Sequence, residues 1–473
     1  MMQPLRMSTA VGSLLLSIIA SIWLDQLARA ELELATVFGD NMVLQRDKEL
    51  PIWGTAEPGT KVTVELFDQT ATATADKDGR WMARLKPLSA GGPHDLHVNG
   101  DGSAVVHNVL IGEVWICSGQ SNMEFPLQRA NNAEKEIAVA GDSQLRLLRV
   151  ARKRSEQPVS TFEGTWQLCT PRTVPEFSAV AYFFGRHLRE HLDVPVGLIE
   201  SAWGGTPAEH WTTPASFEAD PTLLETSSHT HAQQVMQQRS SLYNGMIAPL
   251  VPMAMRGVIW YQGESNVPMA TYYQRLFSGM IRGWRDAWGQ GDFAFLYVQI
   301  APWNYGGIKG WPRNGCPLVR EAQLKTLALP NTGMAVTMDI GNVDDIHPRD
   351  KQDVGTRLGL AARAVAYGED CVYSGPIYKS LEIHDDKAVI RFDHADGGLV
   401  AADGPLRTFE IAAEPGKFVP AEATIDGNTV IVHSDKVAKP VAVRFAWQDV
   451  ALPNLFNGHH LPASPFRTDD WEE

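Results

Sequence analysis

Apolar and polar residues follow one another in this chain with three successive rhythms. From residue 31 to about 109 the period is two: Val62-Thr63-Val64-Glu65-Leu66 and Ala71-Thr72-Ala73-Thr74-Ala75 put every second side chain on one face. Turns at Glu57-Pro58-Gly59 and Asp78-Gly79 break these runs at short intervals, as in a small β-sandwich, with Trp53 and Trp81 as its expected core aromatics. From about 110 to 376 apolar runs at 114–117, 196–201, 257–261, 293–299 and 334–340 alternate with helix-period stretches at 179–192, 271–288 and 351–367. Strands alternating with helices predict a parallel sheet covered on both faces. Within 271–288 the positions Leu276, Met280, Ile281 and Trp284 form one core-facing stripe. After Pro376 the period returns to two, which predicts a β-rich region over 377–473 that stands alone or completes the first sandwich. The fold class is therefore α/β, with β-sandwich parts at both ends of a parallel-sheet domain over 110–376.

Residues 1–30 stand outside this scheme. Arg6 precedes a nearly continuous apolar run over 11–24, and Ala28-Arg29-Ala30 fits a small-x-small cleavage site, the pattern of a secretory signal peptide. The run is shorter than the roughly 20 residues of a spanning helix. A secreted or periplasmic product with no membrane span after cleavage is expected. A net charge of -14 with no basic cluster argues against nucleic acid or an anionic membrane surface as partner. The four cysteines, Cys117, Cys169, Cys316 and Cys371, are too few for a disulfide scaffold in 473 residues. They form no CxxC pair, and no metal or other cofactor is expected.

Candidate chemistry gathers where the predicted parallel strands end. Gly119-Gln120-Ser121-Asn122-Met123 follows the run at 114–117 and places Ser121 at the carboxyl edge of the sheet. Asp344-Asp345-Ile346-His347-Pro348 follows the run at 334–340, with Pro348 as the expected start of the next helix. A serine hydroxyl becomes a nucleophile when an imidazole takes its proton and an acid orients that imidazole. His347 supplies the imidazole; a three-residue spacing selects Asp344, and the nearer alternative is Asp345. Two further strand ends carry Ala202-Trp203-Gly204-Gly205-Thr206 and Gln262-Gly263-Glu264-Ser265-Asn266. The N–H groups of Ser121 and of Gly204 or Gly205, with an amide from Gln262 or Asn266, would supply donors for a developing oxyanion. Glu264 is open between general base, orienting group and loop-holding acid. Each loop alone reads as a turn, but four at successive strand ends point to acyl transfer. Arg320 is expected in a buried ion pair, or on a substrate carboxylate if it faces the pocket. Trp303, Tyr305 and Trp311 are candidates for a sugar-stacking lid.

The long motif Gly112-Glu113-Val114-Trp115-Ile116-Cys117-Ser118-Gly119-Gln120-Ser121-Asn122-Met123-Glu124 is joined by Trp203-Gly204-Gly205-Thr206, Trp260-Tyr261-Gln262-Gly263-Glu264-Ser265-Asn266 and Asp345-Ile346-His347-Pro348. With Phe38-Gly39-Asp40-Asn41-Met42-Val43-Leu44-Gln45 near the start and Leu461-Pro462-Ala463-Ser464-Pro465-Phe466-Arg467 near the end, these segments resemble the SGNH-type hydrolase superfamily. More closely, they are similar to the sialate O-acetylesterase family. The resemblance implies a flavodoxin-like catalytic domain with β accessory parts, removing acetyl groups from carbohydrate hydroxyls without a metal. It implies O-acetylated sialic acid as substrate and an acetyl-serine intermediate; the alternatives are acetylated xylan and a non-catalytic carbohydrate-binding protein. The Gly-x-Asn-Asp loop of the wider superfamily is here Gln-Gly-Glu-Ser-Asn, which leaves the side-chain oxyanion donor open.

Overall fold

Seven strands build the central sheet: in spatial order Trp166–Cys169, Asp142–Arg149, Val196–Ala202, Ser103–Gly119, Gly257–Tyr261, Ala294–Val298 and Thr332–Ala335. All neighbours are parallel except the outermost Trp166–Cys169, which runs antiparallel to Asp142–Arg149. The computed structural model describes residues 31–224, 230–308, 311 and 315–471. The predicted signal peptide over 1–30 lies outside them.

Every residue of Val196–Ala202, Gly257–Tyr261 and Ala294–Val298 is buried, and the last two strands read as unbroken apolar runs, whereas the first carries the buried Glu200 and Ser201 at its carboxyl end. The two faces of the sheet feed separate cores. Trp115, Cys117, Ile259 and Leu296 pack with helices Ala179–Leu192 and Lys351–Tyr367. Val114, Ile116, Val258 and Phe295 pack with the Leu276, Met280, Ile281 and Trp284 stripe of helix Ala270–Trp288. Among the described residues no helix is long and apolar enough to cross a membrane.

Several sequence expectations shift by a few residues. The last parallel strand ends at Ala335 rather than 340, so an irregular loop, not a strand end, delivers His347. The following helix begins at Lys351 rather than Pro348, because Asp350 caps it by accepting the Asp353 N–H at 3.1 Å. Strand Asp142–Arg149 was not expected: its polar residues Asp142, Gln144, Arg146 and Arg149 mask the apolar ones.

In the N-terminal part, Lys61–Leu66 buries Val62, Val64 and Leu66 while exposing Lys61 and Glu65, the alternation its sequence displays. Trp81 is buried, and Trp53 packs edge-on against Phe38 with ring centroids 4.7 Å apart. One strand, Ser103–Gly119, links this part to the centre. Its first half pairs antiparallel with Gly91–Asn99, and its second half enters the parallel sheet. The C-terminal region forms its own antiparallel sheets, one of Ile377–His384, Lys387–Asp393, Thr429–His433 and Glu422–Asp426. Among the described residues none of its strands pairs with an N-terminal strand. It docks on the central unit through Gln299 Nε2, which donates to Ser464 Oγ at 2.9 Å. All four cysteines are free, three of them buried.

Gly119 closes the strand that leads to Ser121. Its φ is +138°, and an added Cβ would lie 2.1 Å from the Tyr261 carbonyl oxygen. Glycine alone tolerates both conditions. Gly119→Ala is therefore expected to cost about 3 kcal/mol or more in unfolding free energy. Chemical denaturation measures this; a variant as stable as the parent would contradict the close approach of Gly119 to the Tyr261 carbonyl.

Candidate active site

A single helical turn, Ser121–Glu124, follows Gly119-Gln120 and is clamped from both sides. On one side the Gln120 N–H donates to Tyr261 O at 2.9 Å, and Gln120 Oε1 accepts the Ser265 N–H at 3.2 Å. On the other, Ser178 Oγ donates to Met123 O at 2.6 Å and the Ser178 N–H donates to Glu200 Oε2 at 3.0 Å. Burial pushes the Glu200 carboxyl up to about 7, against the pull of Arg149 at 3.1 Å.

The Ser121 Oγ lies 2.8 Å from His347 Nε2. Asp345 Oδ1 accepts the His347 N–H at 2.9 Å and lies 3.6 Å from His347 Nδ1. Asp344 is exposed; its N–H donates to Asn342 Oδ1 at 3.0 Å, and its carboxylate makes no contact with the imidazole. The short Asp345 spacing folds one carboxylate back over its own loop, whereas Asp344 points to solvent. Burial first, then the Lys351 ammonium, draws His347 below its ordinary value, with Asp345 opposing. The imidazole is thereby kept in its neutral, proton-accepting form.

Beneath Ser121 runs a buried polar chain that adds Asn122 and Lys351 to Glu264. Lys351 Nζ donates to Asn122 Oδ1 at 2.6 Å, and Asn122 Nδ2 donates to Glu264 Oε1 at 2.6 Å and to Ile346 O at 3.0 Å. The ammonium sits 4.9 Å from the Phe125 ring centroid and 5.2 Å from that of Tyr261. Burial lowers Lys351 to about 7 and raises Glu264. Glu264 thus holds Asn122 and, through Ile346, the histidine loop; it does not touch Ser121.

Gln262 and Asn266 face inward. Gln262 Nε2 donates to Asn266 Oδ1 at 2.6 Å, and Asn266 Nδ2 donates to Glu209 Oε2 at 2.9 Å. These amides brace the sheet edge from behind. The Gly204 N–H donates to Glu124 Oε2 at 2.9 Å. Gly205, at φ +73°, has no hydrogen bond on its N–H among the described residues. Arg320 is fully buried and, rather than forming the expected ion pair among the described residues, clamps the backbone carbonyls of Ile300, Gln448 and Asp449 at 3.0, 2.9 and 3.1 Å, outside the lining of the Ser121 pocket. Tyr305 is buried as well, with the half-buried Trp303 and Trp311 packed on its ring, so Tyr305 itself offers no exposed stacking surface.

Ser121 and His347 open on a pocket of about 350 Å³, walled by Phe125, Glu124 and the guanidinium groups of Arg129, Arg149 and Arg152. A serine hydroxyl within reach of a neutral imidazole, at the carboxyl edge of a parallel sheet, is the equipment of acyl-transfer hydrolases. The comparisons narrow that class. The family model described as carbohydrate esterase, sialic acid-specific acetylesterase, matches residues 111–364. The sialate O-acetylesterases of Homo sapiens and Pongo abelii are each 32% identical, over 94% of this chain and 94% of theirs. The crystal structure of a carbohydrate acetylesterase from Xanthomonas citri matches with a TM-score of 0.86 at 44% identity, covering 93% of this chain and 100% of that one. The chain belongs to the sialic acid-specific acetylesterase family and is a carbohydrate ester hydrolase.

Proposed function

We propose that this protein is a serine esterase that removes O-acetyl groups from sugars, O-acetylated sialic acid foremost. The observation that carries the reading is the 2.8 Å separation of Ser121 Oγ and His347 Nε2. As Ser121 Oγ attacks the acetyl carbonyl carbon, Nε2 takes the hydroxyl proton, and Asp345 steadies the imidazolium from the Nδ1 side. The intermediate collapses with cleavage of the C–O bond to the sugar, whose oxygen leaves with the proton from Nε2. Water, deprotonated by the same nitrogen, then attacks the acetyl-serine and releases acetate. The Ser121 N–H, at the start of a helix where it has no intrahelical acceptor, and the Gly205 N–H are the oxyanion donors.

Strand order supports the flavodoxin-like SGNH assignment. Apart from the additional parallel strand Asp142–Arg149, which extends the sheet beyond Val196–Ala202, the strands Val196–Ala202, Ser103–Gly119, Gly257–Tyr261, Ala294–Val298 and Thr332–Ala335 stand in spatial order 2-1-3-4-5, and Ser121 follows strand 1 at the switch point. The apolar run and cleavage pattern over 1–30 support export to the periplasm or beyond. Acetate release from O-acetylated sialic acid, run beside acetylated xylo-oligosaccharides, tests the proposal. A kcat/KM at least about tenfold higher on the sialic acid is expected, as for one well-placed polar contact. The reverse preference would reassign the substrate to plant polysaccharide, and no release from either would discard the esterase reading.

A further inference from the structure

Three guanidinium groups wall the pocket that holds Ser121 and His347, and two of them are already committed. Arg149 pairs with the buried Glu200 at 3.1 Å and also donates to the Glu176 carbonyl. Arg152 Nε donates to Glu124 Oε1 at 2.7 Å, and its guanidinium lies 5.6 Å from the Trp203 ring centroid. The remaining acid of the wall, Glu176, accepts from Gln128 Nε2 at 2.5 Å.

Arg129 differs. Among the described residues its side chain has neither a carboxylate partner nor a hydrogen-bond acceptor. It rests instead on the Phe125 ring, 5.0 Å from the centroid, at the end of the short 3-10 turn Leu127–Arg129. Its charge reaches His347, whose pKa it helps to lower. Phe125 therefore serves as a shelf that aims an uncommitted planar cation into the site.

We propose that Arg129 is the carboxylate-binding group of this pocket and selects acidic acetylated sugars over neutral ones. The inference rests on the reading of the Ser121 site as a sugar O-acetylesterase. A guanidinium fork with free donors matches a carboxylate through two parallel N–H···O bonds, and a neutral xylan offers nothing to fill it. Stacking on Phe125 limits the entropy lost when the fork closes on its ligand. Two sugar classes carry the required group: sialic acids and uronic acids.

Binding is measured by calorimetry in the Ser121→Ala background, where turnover does not interfere. The probes are N-acetylneuraminic acid, its methyl ester and galacturonic acid. The acid is expected to bind about ten- to a hundredfold more tightly than its methyl ester. Adding Arg129→Gln should bring that ratio near one, and Arg129→Lys should restore part of it. The ratio is a readout that a general loss of packing would not move. An acid-to-ester ratio unchanged by Arg129→Gln, or no binding of any acid, overturns the proposal. Tighter binding of galacturonic acid than of N-acetylneuraminic acid, still dependent on Arg129, supports the carboxylate subsite and assigns it to uronic acids. Failure of the esterase reading shows separately, as an absence of acetate release by the parent protein from every acetylated sugar.

Discussion

Ser121→Ala is expected to lower kcat for acetate release by about 10⁴- to 10⁶-fold, the range for losing a nucleophile that works as a unit with its base. The hydroxyl has one bonded partner, His347 Nε2, so its removal strands no buried donor. Unfolding free energy should therefore stay within about 0.5 kcal/mol of the parent. The clamps on this turn, through Gln120 and through Ser178 on Met123, use backbone atoms and other side chains, and all survive the substitution. A coupled acetate assay with a parallel denaturation curve separates lost chemistry from lost fold. Turnover that persists in a folded variant would remove Ser121 from the mechanism.

Lys351→Met should produce two effects that come apart on inspection. The first is a stability loss of about 3–5 kcal/mol, because Glu264 and Asn122 are left buried without their cationic partner. The second is a shift of the acid limb of the kcat/KM profile to higher pH. In the proposed mechanism His347 acts as a base when neutral, so activity rises as pH climbs through its pKa. The Lys351 ammonium lowers that pKa, as Arg129 does, while Asp345 raises it. Removing Lys351 must then move the limb upward. The ammonium itself titrates near 7, so the displacement is fullest below that pH. Adding Glu264→Gln should recover part of the stability by neutralising the stranded carboxylate, yet leave the limb displaced. A limb that stays in place would show that Lys351 serves packing alone.

The parts of this molecule visible in the sequence are those in which one physical demand dominates. Strands such as Gly257–Tyr261, buried on both sides, need apolar residues throughout, and helix Ala270–Trp288 needs its stripe; both announced themselves. Ser121 was legible because it sits in the turn that ends such a strand, and His347 because an acid stands two residues before it on one loop. Direction was the harder quantity. Gln262 and Asn266 carry the right donors in the right loop, yet their amides satisfy one another and Glu209 inside the protein. Arg320, inside helix Gly315–Thr326, and Arg129, ending a 3-10 turn, are the same residue type, and burial separates a backbone clamp from a pocket wall. That burial depends on the C-terminal segment at Gln448 and Asp449, more than a hundred residues away, which no local pattern reports.

The continuous strand Ser103–Gly119 has a bearing on engineering. Because one uninterrupted backbone is sheet edge for the amino-terminal β part and keystone of the catalytic layer, the two cannot be separated like beads on a string. A truncation that discards residues before 103 would bare a row of unsatisfied amides upstream of Ser121, inviting sticky, misassembled product instead of a minimal domain.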